Sequence, residues 1–247
     1  MSESKSGIAI SQQTKEDIIR FYNIDESKID ICYQSCNPSF AIAVSDDEKK
    51  RIKALYDLPD EFYLYVGSII ERKNLLNICR ALSVLKETSN HIPLVVIGDG
   101  DDYEKVVKDY VQKFKLHNQV IFLSDRLETK SLDSFRSAKD FPAIYQQALC
   151  MIYPSIFEGF GIPILEALWS KIPVITSNIS CLPETGGDAA LFVDPASPEE
   201  IANALLQITN DDALVESMIE KGWRHAQKFT PEKCASAVMQ VYLRLND

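Results

Sequence analysis

Two glutamates eight positions apart flank a loop that contains two glycines. Glu158 and Glu166 stand in the stretch EGFGIPILE, where Gly159 and Gly161 permit tight turns and Pro163 suits the first turn of a helix. Free N–H groups at such a helix start form an anion site. Because a phosphate would repel carboxylates, we expect both acids to accept hydrogen bonds from neutral sugar and ribose hydroxyls. The alternative is a solvated loop acid at position 158 and, at position 166, an acid that matches the helix dipole.

A pair of adjacent cations, Arg72 and Lys73, follows Gly67 in the stretch GSIIERKN. The chain holds 26 Lys and Arg against 36 Asp and Glu, a formal net charge of −10. Two cations in one loop of so acidic a chain suggest an anionic ligand. The stretch lacks the spacing of a P-loop. A surface ion pair with Glu71 is the alternative interpretation of these residues.

Other kinds of site find little support. The acidic balance argues against nucleic-acid binding, which needs a basic face. No window approaches the ~20 apolar residues of a membrane span, and the first residues lack the apolar core of a secretory signal. The G-x-G at Gly98 and Gly100 has Tyr103 where a dinucleotide site needs a third glycine. The spacing of the six cysteines and three histidines favours reduced thiols over disulfides or a zinc site, and we expect no metal and no cofactor.

The elements that must position these loops alternate along the chain. Short apolar runs predict strands buried on both faces of a parallel sheet, and amphipathic stretches between them, such as Asn74–Lys86 and Tyr103–Phe114, predict covering helices. The fold class is therefore α/β, with a doubly wound parallel sheet that binds ligands at the carboxyl ends of its strands. The segment Asp125–Gln147 has no clear pattern and is expected to be an excursion on the rim of the sheet. The predicted strands are Ile29–Tyr33, Phe62–Val66, Leu94–Ile97, Val120–Leu123, Cys150–Tyr153, Val174–Thr176 and Leu191–Val193.

Five segments in this order resemble the nucleotide-sugar-binding domain of retaining, GT-B-fold glycosyltransferases of family 4, the glycosyl transferases group 1. They are YVGSIIERKN, VVIGDG, EGFGIPILE, PVITSNISCLPE and LFVDPASPEEIANAL, within a resemblance from about Ile8 to about Leu245. The resemblance implies the C-terminal, Rossmann-like half of a GT-B fold. We expect a helical interdomain segment at 1–28, the nucleotide-sugar-binding domain at 29–229 and a C-terminal helix at 230–247.

The resemblance also implies roles for the residues of both loops. Glu158 is expected to be the catalytic-site acid that contacts hydroxyls of the donor sugar, and Glu166 is expected to hold the ribose. Many members carry Arg where this chain has Ser68, so Arg72 is expected to substitute in the phosphate clamp. The residues expected to bind the donor are Gly67, Ser68, Arg72, Lys73, Gly159, Phe160, Gly161, Ile162 and Glu166.

The implied reaction is transfer of a hexose from a UDP- or GDP-linked sugar to a saccharide or lipid-linked acceptor in polysaccharide biosynthesis. The stretch SIFEGFGIPILEAL is similar to mannosyltransferase-like members, which suggests GDP-mannose. The acceptor-binding N-terminal domain is expected to be missing, which would expose apolar surface at the termini and favour self-association. The expected location is the cytoplasm, including peripheral contact with the inner membrane face. The alternatives are a sugar epimerase, an inactive nucleotide-sugar-binding module and one subunit of a split transferase.

Overall fold

An all-parallel sheet of six strands forms the centre of the structure, a computed structural model that describes residues 6–86, 88 and 90–246. The strands along the chain are β1 (Gly7–Ala9), β2 (Ile29–Ile31), β3 (Tyr63–Val66), β4 (Leu94–Ile97), β5 (Val120–Phe122), β6 (Cys150–Tyr153), β7 (Val174–Ser177) and β8 (Ala190–Val193). The sheet has the order β5-β4-β3-β6-β7-β8. The chain first builds outward from β3 to β5, then returns to place β6 on the other side of β3. The strand order therefore reverses between β3 and β6, and ligands bind at such a switch point in open α/β sheets.

Helices cover both faces of this sheet, as the sequence predicts. The helices are α1 (Gln12–Tyr22), α2 (Asp46–Tyr56), α3 (Leu75–Leu85), α4 (Asp102–Lys113), α5 (Leu127–Ser131), α6 (Asp133–Arg136), α7 (Phe141–Tyr145), α8 (Ile162–Trp169), α9 (Leu182–Gly186), α10 (Pro198–Asn210), α11 (Asp212–Ala226) and α12 (Pro231–Asn246). The segment at 125–147 thus contains three helices of four or five residues. No helix among the described residues is both long and apolar enough to cross a membrane.

Two apolar cores lie on the two faces of the sheet. On one face, α3, α4 and α10 pack Leu75, Val107 and Leu205 against the strands. On the other face, α2 and α8 contribute Ile52 and Leu165. All four residues of β3, β4, β6 and β7 are buried, which explains the continuous apolar sequence of β3, β4 and β6. The predicted doubly wound α/β fold is confirmed.

The strand expected at Ile29–Tyr33 does not join this sheet, so that part of the prediction is wrong. It ends at Ile31 and pairs in parallel with β1, through Gly7 opposite Ile29 and Ala9 opposite Ile31. Three residues are too few to show which partner a strand selects, and the neighbouring short strand β1 has no strong apolar pattern. The domain boundaries at 28/29 and 229/230 stay predictions.

Candidate functional site: two loops at the switch point

Two loops leave the sheet side by side where the strand order reverses. The β3 loop (residues 67–74) and the β6 loop (residues 154–161) follow adjacent strands, so their first residues are neighbours. Asn74 ties them together, because its Nδ2 donates hydrogen bonds to the carbonyl oxygens of Pro154 at 3.0 Å and Pro195 at 2.7 Å. Since the Asn74 side chain is buried, these bonds are shielded from water and fix the spacing of the loops.

Glu158 meets both cations of the β3 loop through one of its two oxygens. Its Oε1 lies 2.8 Å from Arg72 Nη1 and 3.2 Å from Lys73 Nζ. The same oxygen accepts hydrogen bonds from the Tyr153 hydroxyl at 2.9 Å and from Ser155 Oγ at 3.0 Å. Lys73 also donates to the Tyr153 hydroxyl. One carboxylate oxygen therefore gathers two cations and two hydroxyls.

The other oxygen of Glu158 remains available to a ligand. Within the part of the chain that the structure describes, Glu158 accepts its hydrogen bonds through Oε1 and none through Oε2. Burial acts to raise the pKa of this carboxyl, but Lys73, Tyr153 and Arg72 outweigh it, and the pKa lies below its ordinary value. Glu158 is thus a carboxylate at neutral pH, and its free oxygen can only accept hydrogen bonds.

The backbone of the β6 loop is oriented by hydroxyl groups from three other segments. The carbonyls of residues 158, 159 and 160 accept hydrogen bonds, in that order, from Ser180 Oγ at 3.0 Å, Thr14 Oγ1 at 3.2 Å and the Thr185 hydroxyl. The N–H groups of residues 159–161 have no acceptor among the described residues. With the carbonyls held and the amides free, the loop offers hydrogen-bond donors beside the start of α8, the arrangement expected of an anion site.

Glu166, one turn into α8, occupies a different environment. Its Oε2 accepts a hydrogen bond from the Tyr145 hydroxyl at 2.7 Å. Burial raises the pKa of Glu166 to about 7, although the bond from Tyr145 acts in the opposite direction. The two acids of the EGFGIPILE stretch are therefore not equivalent, since Glu158 is ionised whereas Glu166 titrates near neutrality.

A cavity of about 480 Å³ opens beside the β3 loop, at the carboxyl ends of β3, β4 and β5. Its walls include the apolar side chains of Phe135 and Phe141 and the polar side chains of Ser124 and Lys130. Lys130 Nζ lies 2.8 Å from the carboxylate of Asp99. The volume and the mixed lining suit a small organic ligand.

The comparisons with known proteins identify the family of this chain. The sequence profile of the family described as glycosyl transferases group 1 matches residues 46–225, most of the chain. The chain belongs to the glycosyl transferases group 1 family. It is 29% identical over 244 residues to the O-antigen chain mannosyltransferase B of Escherichia coli, an alignment that covers 98% of this chain and 61% of that protein. It is also 29% identical over 204 residues to the O-antigen chain mannosyltransferase RfbU of Salmonella typhimurium, covering 83% of this chain and 51% of that protein.

Solved structures of glycosyltransferases share the fold. A glycosyltransferase from Rickettsia africae has a TM-score of 0.83 and 22% identity, covering 98% of this chain and 64% of that one. Anabaena Alr3699/HepE in complex with UDP and glucose has a TM-score of 0.80 and 17% identity, covering 99% of this chain and 63% of that one. This glycosyl transferases group 1 chain therefore spans less than two thirds of each of these four proteins.

The structure brings most of the predicted site residues of this family member to one edge of the sheet. The predicted cations and the first acid form one cluster, instead of lying in separate subsites. Ser68 does not join it, because its side chain is exposed and its carbonyl accepts from the Tyr65 hydroxyl. The Phe160 side chain is buried against Tyr33 and Phe229, so only its backbone can face a ligand. The donor-binding roles of all these residues stay predictions.

Sequence reasoning missed the hydroxyl groups that build the site. Tyr153 is the last residue of β6 and resembles an ordinary core aromatic, and Ser155 lies at the start of the β6 loop. Ser180 and Thr185 follow β7, the next strand of the sheet, and Thr14 lies far away in the sequence. The sequence did carry one signal for these hydroxyl groups. Polar side chains follow apolar strands directly, and the carboxyl ends of those strands meet at one edge of the sheet. No group of three His, Cys, Asp or Glu side chains suited to a metal ion occurs in residues 6–86, 88 and 90–246.

Proposed function

We propose that this chain is the donor-binding part of a glycosyltransferase that transfers a hexose from a nucleoside diphosphate sugar. The observation that carries the proposal is the arrangement around Glu158. Arg72 and Lys73 share its Oε1, while its Oε2 and three loop amides remain available. The site therefore combines donors for a diphosphate with an acceptor for a sugar hydroxyl.

The diphosphate occupies the space between the cations and the β6 loop. Lys73 is almost buried, and its side chain runs beneath Gly67, where a Cβ would lie 3.2 Å from Lys73 Cδ. Arg72 is half exposed and its Nη1 also donates to the carbonyl of Phe157 at 3.0 Å. As the glycosidic bond breaks, negative charge grows on the departing diphosphate. Both cations and the free amides stabilise that charge in a partly dehydrated site.

The two acids bind the neutral parts of the donor, which are the transferred sugar and the ribose. Glu158 Oε2 accepts a hydrogen bond from a hydroxyl of the transferred sugar, beside the atom where the bond breaks. Glu166 accepts from the ribose, and the cavity beside the β3 loop takes the base against the side chains of Phe135 and Phe141. Hydroxyl recognition suits carboxylates that stand near a phosphate, because a neutral hydroxyl is not repelled by them.

The proposed identities of the sugar and the acceptor are based on the family relationship. The relatives from Escherichia coli and Salmonella typhimurium are named O-antigen chain mannosyltransferases, which supports mannose from GDP-mannose and a saccharide or lipid-linked acceptor. Retention of configuration follows from the resemblance of the Glu158–Glu166 motif to retaining enzymes. Under this proposal the chain acts in the cytoplasm, and acceptor groups come from a further domain or chain.

The direct experiment is a calorimetric titration of the purified chain with UDP, GDP, UDP-glucose and GDP-mannose. The expected result is one-to-one binding of at least one nucleotide sugar, with GDP-mannose preferred. Binding of GDP-mannose without transfer or hydrolysis would support the donor-binding role and assign catalysis to the complete assembly. No heat and no competition from any of the four ligands would contradict the proposal.

A further inference from the structure

The segment that precedes the sheet contacts the β6 loop through a short series of polar bonds. Thr14, in the first turn of α1, donates from Oγ1 to the carbonyl of Gly159 at 3.2 Å. Ser11 orients that hydroxyl, since its Oγ donates to Thr14 Oγ1 at 2.9 Å and accepts from Thr14 N at 3.0 Å. The Ile10 side chain packs directly on Gly159, where a Cβ would lie 3.0 Å from Ile10 Cδ1. The start of α1 thus holds one peptide group of the loop.

Glu184 holds the start of α1 in that place. Both oxygens of its carboxylate accept from the backbone N–H of Gln12, at 3.0 and 2.9 Å. Oε1 also accepts from the Tyr33 hydroxyl at 2.7 Å, and burial together with Glu184 raises the pKa of Tyr33 to about 12. One side chain of α9 therefore binds two parts of the segment between Gly7 and Tyr33.

These bonds matter because α1 has little packing to replace them. None of its residues is buried, so no apolar core fixes the helix against the sheet. Its position depends on its caps, the short strands β1 and β2, and the bonds to Glu184 and Gly159. Few buried contacts and exposed polar bonds are features of segments that move at low energetic cost.

We propose that Thr14 and Glu184 are positioning residues that couple the 6–33 segment to sugar binding by the β6 loop. Thr14 fixes the peptide that joins residues 159 and 160, directly after Glu158, and Glu184 fixes Thr14 through α1. A displacement of α1 turns that peptide and moves the free oxygen of Glu158 away from the sugar hydroxyl. A chain or domain that shifts α1 on binding therefore changes the affinity for the donor. By linkage, that change equals the factor by which the bound donor favours the docked position of α1. This inference rests on the proposed donor site.

The first test needs no ligand. The carbonyl that Thr14 holds and the N–H of Phe160 belong to one peptide group, so the ¹H–¹⁵N resonance of Phe160 reports that bond. Thr14→Val should shift this resonance, whereas Thr14→Ser, which keeps the hydroxyl, should leave it near its original position. An unmoved Phe160 resonance in Thr14→Val would overturn the inference, whatever the chain binds.

The second test separates coupling from a local effect of Glu184, whose neighbour Thr185 bonds the loop directly. Glu184→Ala, Thr14→Val and the double variant form a cycle, read by the affinities for GDP-mannose and for GDP. Each single variant should lose about threefold to tenfold in affinity for the nucleotide sugar, as expected for one lost hydrogen bond. GDP should lose less affinity than GDP-mannose does, because Arg72 and Lys73 are untouched and the diphosphate loses only the Phe160 N–H of the turned peptide.

The double-mutant cycle distinguishes an effect of Glu184 through α1 from a local effect in α9. If Glu184 acts through α1, its substitution should have little further effect in the Thr14→Val background. Fully additive losses would overturn the coupling and leave Glu184 with a local role in α9. If the wild-type chain binds none of the nucleotide sugars, the proposed function fails, while the resonance test still decides the contact between α1 and the loop.

Discussion

The two carboxylate oxygens of Glu158 have different roles in the site. Its Oε1 satisfies Arg72, Lys73, Tyr153 and Ser155, and its Oε2 remains for a ligand. Sequence reasoning could nominate the acid and the cations, because their types and loop positions are unusual in an acidic chain. It could not show that they share one oxygen, since the spacing of loop residues along the chain does not fix distances across two strands.

Removal of the buried cation is the sharpest test of the phosphate assignment. Lys73→Ala deletes a charge-assisted hydrogen bond to the diphosphate, worth ~1.5–3 kcal/mol, so nucleoside diphosphate affinity should fall about tenfold to a hundredfold. The matched control is Lys105→Ala, an exposed lysine on α4, which should bind as the wild type does. Calorimetric dissociation constants check both variants, and an unchanged value for Lys73→Ala would refute the assignment.

The raised pKa of Glu166 predicts a pH-dependent stability. Folding raises this pKa from its ordinary 4.5 to about 7, so the folded chain holds the proton more tightly than the unfolded chain. The stabilisation from Glu166 is complete below pH 4.5, is lost as pH rises towards 7 and stays lost above 7. Glu166→Gln should therefore gain stability over the wild type by up to ~3 kcal/mol between pH 5 and pH 8, at ~1.36 kcal/mol per pKa unit. Urea unfolding at both pH values measures the gain, and a constant difference would contradict the shift.

The loops are held at the right distance by the strands that precede them. β4 and β6 have the predicted bounds, Leu94–Ile97 and Cys150–Tyr153, because continuous apolar runs flanked by loop residues are a strong strand signal. The segment at 125–147 could not be predicted in detail. Its helices of four or five residues are too short for a helical period to show, although they line the cavity beside the β3 loop.

A close backbone approach at the ends of β3 and β4 predicts that Gly98 tolerates no side chain. A Cβ on Gly98 would lie 1.9 Å from the carbonyl oxygen of Gly67, and its φ is +152°. Because neither backbone can yield without breaking the sheet edge, Gly98→Ala should cost roughly 2 kcal/mol or more in the free energy of unfolding. The control is Gly7→Ala, where the nearest atom lies 3.9 Å away. Denaturant unfolding compares the two, and equal stabilities would show that the approach is not rigid.

At the scale of the whole molecule, the segments at both ends contact the doubly wound core, since Thr14 bonds Gly159 and Phe229 packs on Phe160. The core could be predicted because its strands and helices alternate regularly. The pairing of β2 with β1 could not, because short strands take their partners from tertiary contacts. Apolar side chains lie exposed on both terminal helices: Phe21, Tyr22, Met239, Tyr242 and Leu243. Exposed patches of this kind mark interaction surfaces.

The exposed terminal helices predict concentration-dependent self-association of the isolated chain. Sedimentation velocity should show a rising fraction of dimer with concentration, because two copies can bury the apolar surface of α1 and α12. The double substitution Phe21→Ser and Tyr22→Ser should weaken the association, whereas Leu127→Ser, at an even more exposed site far from both helices in sequence, should not. A strictly monomeric chain at all concentrations would contradict the prediction.

The central claim is that the carboxyl ends of β3 and β6 bind a nucleotide sugar, with Glu158 contacting the sugar and Glu166 contacting the ribose. The most direct measurement is the dissociation constant of GDP-mannose and of GDP for the wild type, Glu158→Gln and Glu166→Gln. Glu158→Gln should weaken GDP-mannose about tenfold or more, and leave GDP unchanged or tighter because Arg72 and Lys73 lose an anionic partner. Glu166→Gln should weaken both ligands. Equal losses for both ligands in both variants would show that the acids only support the loop, and would contradict the account.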